Sequence, residues 1–225
     1  MIVTDQLRKV YYTDEVATTA LDGVNLQVDG GEFVAVMGPS GCGKSTLLNL
    51  LGLLDTATGG TYHLAGQDVT HFAERRRARM RKRSIGFVFQ SFNLIDDLTV
   101  FENVELPLLY LGVPRAERRT RVERVLNEFQ ILHRRNHFPQ QLSGGQQQRA
   151  AVARAVIAAP KLILADEPTG NLDSAHGQEV MDILESLNRG GTTIIMVTHS
   201  AACADRANRV LHLLDGSVVA EEPQR

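Results

Sequence analysis

Short apolar runs recur along the chain, each bounded by glycine, proline or charged residues and separated from the next by stretches of helical periodicity. Phe33-Val34-Ala35-Val36-Met37 has the length and flanking glycines of a buried strand. From Ser45 the wide apolar face of Ser-Thr-Leu-Leu-Asn-Leu-Leu-Gly-Leu-Leu predicts a helix that ends near Asp55, before a turn at Gly59-Gly60. Ile85–Phe89, Leu162–Ala165 and Thr193–Thr198 read as further short strands, and their alternation with helical sequence predicts an α/β fold with a mainly parallel sheet covered by helices. Ile2–Val10 and Leu21–Val28 are β-like, and Val210–Leu214 with Ser217–Ala220 reads as a closing hairpin around Asp215-Gly216.

Between about Ser91 and Pro160 the pattern becomes helical. Val122, Val125, Leu126 and Phe129 share one face behind Pro114, and Gln146–Ala159 predicts a second helix stopped by Pro160. The expected organisation is one domain over 1–225, with 1–90 and 161–225 forming the sheet-bearing part and approximately 91–160 an inserted helical part.

A chain of 225 residues, 43% hydrophobic and 22% charged, is long enough for one substantial core and too apolar for disorder. Its formal net charge of −2 gives no strong field for a polyanion, so no nucleic-acid partner is expected. The two cysteines, Cys42 and Cys203, lack metal-ligand spacing, which fits a reducing compartment. The start of the chain lacks a signal-peptide pattern, and no window reaches the ~18 apolar residues of a spanning helix. A cytoplasmic protein is expected, which at a membrane would need a partner to cross it.

Gly38-Pro39-Ser40-Gly41-Cys42-Gly43-Lys44-Ser45 matches Gly-x-x-x-x-Gly-Lys-Ser between a predicted strand and a predicted helix. Glycines let successive N–H groups turn inward, the helix start adds partial positive charge, and Lys44 adds a full one, so the loop suits the phosphates of a nucleotide. Ser45 is placed to give its hydroxyl to Mg²⁺ and Thr46 to touch the α-phosphate. A glycine-rich turn alone would not require the Lys-Ser pair. Leu162-Ile163-Leu164-Ala165-Asp166-Glu167 ends an apolar strand in two acids, at the mouth of the sheet where α/β folds bind ligands. Asp166 suits Mg²⁺ through water, and Glu167 the attacking water; either acid alone could simply cap a helix.

Leu142-Ser143-Gly144-Gly145-Gln146 opens an Ala-rich helix with Ser143 at the N-cap, a second anion-binding helix start without an obvious ligand. With this string in place, essentially the whole chain resembles an ATP-binding cassette subunit. The resemblance implies a P-loop NTPase core, an antiparallel β subdomain and an inserted helical subdomain bearing the signature string. It also implies that Leu142–Gln146 contacts the γ-phosphate held by an opposite subunit, giving a head-to-tail homodimer around two ATP molecules. Tyr11 matches the aromatic that stacks on adenine, ahead of its neighbour Tyr12. Gln90 matches the glutamine that reaches Mg²⁺ and the attacking water, and Asn171-Leu172-Asp173 the loop that communicates between sites. His199, 32 residues after Glu167, matches the histidine that contacts the γ-phosphate. The six other histidines receive no role.

The same resemblance implies separate permease subunits and a place on the cytoplasmic membrane face. Phe89-Gln90-Ser91-Phe92-Asn93-Leu94 and Leu98-Thr99-Val100-Phe101-Glu102-Asn103-Val104 are similar to the branch for lipoprotein release, macrolide efflux and peptide-antibiotic export. Cys42 stands at a loop position usually filled by a small residue, so thiol reagents are expected to enter the phosphate site and MgATP to protect. Arg75–Arg83, with seven basic residues in nine, reads as a solvated helix that can lie near lipid headgroups, and Arg115–Arg124 as an exposed mixed-charge face. Non-transport relatives with the same half-sites carry a long coiled coil between them, whereas Lys44 and Ser143 are only 99 residues apart. Translation-factor ATPases normally carry two cassettes, and a small-molecule kinase would have no use for the signature string.

Overall fold

Along β1, Ile2–Tyr12, burial alternates until Asp5 and Gln6, where two consecutive exposed residues and a left-handed Gln6 (φ 48°) reset the phase before Leu7. This bulge keeps both Ile2 and Leu7 on the core face of one strand. The computed structural model describes residues 1–13 and 16–224. In it β1 pairs antiparallel with β2, Ala17–Val28, and with β4, Gly59–Leu64, which carries the short β5, Gln67–Asp68. The four form an antiparallel sheet in the order β2-β1-β4-β5.

The second sheet contains β3 (Phe33–Met37), β6 (Ile85–Phe89), β7 (Leu162–Asp166), β8 (Thr193–Val197), β9 (Arg209–Leu214) and β10 (Ser217–Pro223). Its order is β10-β9-β3-β8-β7-β6, parallel throughout except for the β9–β10 hairpin. The near-continuous apolar runs of β3, β7 and β8 follow from burial on both faces. Period-two alternation divides them between two cores. Phe33, Ala35, Ile163, Ala165, Ile194 and Met196 face the helices, whereas Val34, Val36, Leu162, Leu164, Ile195 and Val197 face the antiparallel sheet and α1, Lys44–Leu51.

On the helical side lie α3 (Val100–Tyr110), α4 (Arg115–Glu128), α5 (Gly144–Val156) and α6 (Ser174–Arg189), whose apolar stripes join one cluster with the sheet. α2, Glu74–Ser84, runs into β6, and the short α7, Ala201–Ala204, follows β8. Several boundaries differ from those expected. α1 stops at Leu51 because Gly52 caps it and Leu53 turns left-handed (φ 56°), so the apolar residues that follow lie outside the helix. α5 begins at Gly144, two residues earlier than expected, because Ser143 caps the glycines themselves. It ends at Val156, because Ala159, which precedes proline, adopts φ 51°. Gly59-Gly60 opens β4 rather than only turning the chain. α3 and α6 had no counterpart in the expected elements, and the α3 interior holds Pro107, which removes one helical donor.

Candidate functional site

The loop between β3 and α1, the carboxyl end of β7 and the segment from the end of β8 to His199 converge on a cavity of about 330 Å³. Ser40, Gly41, Gly43, Lys44, Ser45 and Thr46 line it from the loop side, and Asp166, Glu167, Gln90 and His199 from the sheet side. Parallel strands put their carboxyl ends on one edge, which is why residues so distant in sequence meet there. Gly43 has φ 106°, and a Cβ there would collide with the Ala20 carbonyl, so only glycine lets the loop lie against β2.

Lys44 is buried, and its Nζ donates to the Gly38 and Pro39 carbonyls at 2.9 and 2.7 Å. The Ser45 hydroxyl and the Asp166 carboxyl line the cavity together. Burial pushes this carboxyl above the usual carboxylate range, opposed by the neighbouring Ser45 hydroxyl and by the charges of Lys44 and His199. Any cation that enters therefore favours the charged form of a carboxyl held at some cost.

Glu167 adopts φ 47°, uncommon for a residue with a Cβ, and is fixed there by donation of its N–H to the Val197 carbonyl at 3.0 Å and acceptance from Gly170 at 3.0 Å. Its Oε2 accepts from the His199 backbone N–H at 3.3 Å, while His199 Nε2 lies 3.3 Å from Oε1. That Oε1 is buried without a hydrogen-bond partner, so one acceptor beside the phosphate loop is left for a donor from outside the chain.

The family described as ABC transporter matches residues 21–170. The chain belongs to the ABC transporter family. YknY of Bacillus subtilis, named as an uncharacterized ABC transporter ATP-binding protein, is 46% identical over 97% of this chain and 95% of its own length. The macrolide export ATP-binding/permease protein MacB of Brucella melitensis is 47% identical over all 225 residues, and the chain spans 35% of that longer protein. Among solved structures, the dimeric ABC transporter cassette MJ0796 superposes with a TM-score of 0.94 at 44% identity, covering 100% of this chain and 99% of that one. The same cassette in a dimeric post-hydrolysis state with ADP and Pi matches equally, at a TM-score of 0.94. The architecture of two sheets and helices is thus that of an ABC ATPase.

Within this cassette the expected site residues fall into four places. Ser40, Gly41, Gly43, Lys44, Ser45, Thr46, Asp166, Glu167, Gln90 and His199 share the cavity, whereas Gly38, Pro39 and Cys42 belong to the same loop but do not line it. Asn171, Leu172 and Asp173 lie beside it and connect it to the signature string. Gln90 Nε2 donates to Asn171 Oδ1 at 3.2 Å, and Asn171 Nδ2 donates back to the Gln90 carbonyl at 3.0 Å. Leu142–Gln146 lies outside the cavity. Ser143 is exposed and closes a capping box with Gln146, accepting from Gln146 N at 3.4 Å while Gln146 Oε1 accepts from Ser143 N at 3.2 Å.

Tyr11 stands apart from the cavity lining. It pairs with Thr18 in β2, whose Ala20 does line the cavity, and its hydroxyl donates to Asp55 at 3.0 Å with the Lys9 ammonium 4.7 Å from the ring centroid. Tyr12 is the more exposed of the two.

Cys42 corrects the expectation that its thiol opens into the phosphate site. Its backbone belongs to the loop, but the side chain is buried in the core cluster behind it and its Sγ lies 3.8 Å from Lys44 Nζ. Alkylation must therefore wait for the loop to open. Cys203, partly exposed, is expected to react first. With MgATP at ~100 times its Kd, opening that requires nucleotide release is suppressed about 100-fold, and Cys42 labelling followed by mass spectrometry should slow accordingly. Equal Cys42 labelling rates with and without MgATP would show that the nucleotide does not clamp this loop.

One residue of the site region escaped the sequence reading. His176 donates its backbone N–H to Asp173 Oδ1 at 3.0 Å, its ring Nδ1 lies 2.7 Å from Asp173 Oδ2, and its ring packs on Gly145 so closely that a Cβ at 145 would collide with it. These hydrogen bonds, the backbone one foremost, hold the Asp173 carboxyl below its usual range. Asp173 at an N-cap three residues before His176 is the local signal that could have paired them.

Proposed function

We propose that this cassette hydrolyses MgATP in a head-to-tail pair of identical chains and drives an exporter whose membrane-crossing part is a separate permease. The observation that carries this reading is the split of the site. The phosphate loop and the residues for attacking water share one cavity, while exposed Ser143 caps a helix start outside it, with Gly145 buried just behind under the His176 ring. A helix start is an anion site, and a second copy can bring a γ-phosphate to it.

Lys44 and the loop N–H groups bind the β- and γ-phosphates. Ser45 and Asp166, the latter through water, and Gln90 would hold Mg²⁺. A small set of hard oxygen donors suits an ion that takes most of its ligands from phosphate and water. Mg²⁺, when bound, offsets charge on the phosphate oxygens. Glu167 Oε1 accepts a hydrogen bond from the attacking water and aligns it, and His199 holds the Glu167 carboxylate and faces the γ-phosphate. Ser143 and Gly145 of the second chain donate to that phosphate, so its loss on hydrolysis removes the contact joining the chains. The Gln90–Asn171 bonds place the cavity and the inter-site loop in direct contact, so a change at one is felt at the other.

No helix among the described residues is long and apolar enough to cross a membrane. A groove of about 580 Å³ between α2, β6, α3 and α5, with Phe87, Phe89, Leu106, Pro107 and Tyr110 in its wall, suits an amphipathic permease segment. β6 runs straight from this groove to Gln90, which links a docked segment to the cavity. The MacB likeness favours export, on the cytoplasmic face of the membrane. A photo-crosslinking side chain at Leu54 or Tyr110 should capture one membrane-spanning protein in intact membranes, whereas the same probe at exposed Leu214 should not. Capture from Leu214 alone would place the permease elsewhere.

A further inference from the structure

α2 carries seven cations and a single carboxylate, Glu74, and buries none of its residues. Two of the cations are committed inward: Arg77 and Arg81 pair with Glu74 at 2.5 and 2.6 Å, and Arg81 also donates to the Leu53 carbonyl. The Arg76 guanidinium lies over the Phe72 ring, with its Cζ 3.9 Å from the centroid. Arg75, Arg79 and Arg83 are exposed and, among the described residues, form no ion pair. At 100° per residue these three and Lys82 fall on one side of the helix, and Arg77, Arg81 and Ser84 on the other. The helix is anchored by one set of arginines and presents a second set outward.

We propose that this outer stripe is a contact surface for the anionic phospholipid headgroups of the membrane in which the permease sits. Three observations select that partner. The charge is local, in a chain of net charge −2, so attraction acts only on a surface brought to this face. The groove beside the stripe also exposes Leu54 and Tyr110, and basic side chains beside an exposed aromatic suit the boundary between headgroups and water. Lys82 donates to the Tyr110 carbonyl at 3.3 Å, and Ala78, Arg81 and Lys82 line the groove assigned above to the permease, so stripe and groove form one continuous surface. The choice of a membrane over another polyanion rests on that permease assignment; the charge stripe itself does not.

The test is co-sedimentation of the full chain with phosphatidylglycerol or phosphatidylcholine vesicles. Binding to the anionic vesicles alone is expected, weakening as salt rises from about 0.05 to about 0.5 M. The triple change Arg75→Gln, Arg79→Gln, Arg83→Gln should weaken it by about fivefold per cation, on the order of a hundredfold together. Lysine at the same three positions should restore it, and Arg115→Gln, Arg119→Gln, Arg124→Gln on α4 should leave it intact. Equal binding of the wild type and the α2 glutamine variant, equal binding to neutral vesicles, loss in the α4 variant, or displacement by duplex nucleic acid at matched phosphate would each overturn the proposal. ATP hydrolysis without vesicles should be unchanged in every variant, which separates a folding defect from a lost surface. If crosslinking refutes the permease groove while the vesicle pattern holds, only the groove assignment fails.

Discussion

Glu167→Gln is expected to lower phosphate release by about 10²- to 10⁴-fold while leaving MgATP bound and two chains locked together. The amide keeps the size of the carboxylate and can still accept at Oε1, but it cannot take up the developing proton of the attacking water. It is placed by the backbone, with the residue-167 N–H on the Val197 carbonyl and the Gly170 N–H on its own carbonyl, so the strained turn survives the substitution. With binding intact and chemistry blocked, the γ-phosphate persists and keeps bridging Lys44 of one chain to Ser143 of the other. Phosphate release and sedimentation with saturating MgATP check both halves of the statement. A variant that stays monomeric at every ATP concentration, with its permease present, would show that the γ-phosphate does not join the chains.

Much of this site could be read before the fold was known because its chemistry is local. The loop from Gly38 to Ser45 needs only its own glycines and the adjoining helix start, and the acids at 166 and 167 need only the end of one strand. The strand sequences likewise announce their burial, since β3, β7 and β8 are apolar on both faces. Side-chain direction within the loop was not legible. Cys42 turns into the core because the loop carries a left-handed glycine on each side, at Gly41 and Gly43, a backbone path that sequence spacing does not reveal. α3 was overlooked although Thr99 and Glu102 form a capping box, because Pro107 interrupts the apolar pattern seven residues into the helix. His176 was invisible for another reason. Its partner Asp173 is local, but the surface it packs on, Gly145, is 31 residues back in sequence and is brought there by the packing of α5 on α6.

Mixing two inactive variants should restore hydrolysis, and this is the sharpest consequence of a site divided between chains. Lys44→Ala removes the charge that holds the phosphates but leaves its signature turn whole. Ser143→Glu keeps the phosphate loop but places a carboxylate, repelled by the γ-phosphate, where a donor is required. Each variant paired with itself has two faulty sites. In a hybrid pair, both defects fall in the same site, because the Lys44→Ala loop meets the Ser143→Glu turn, and the other site combines two unaltered halves. With free exchange and equal amounts, half the pairs are hybrids with one intact site each, so about a quarter of wild-type sites should return if sites fire independently. A lower recovery with clear hybrid formation would mean that both sites must act together, a coupling for which the Gln90–Asn171 bonds offer a physical route. If either variant alone retained full phosphate release, or if hybrids formed without any recovery even of single-turnover hydrolysis, loop and turn would not be the two halves of one site.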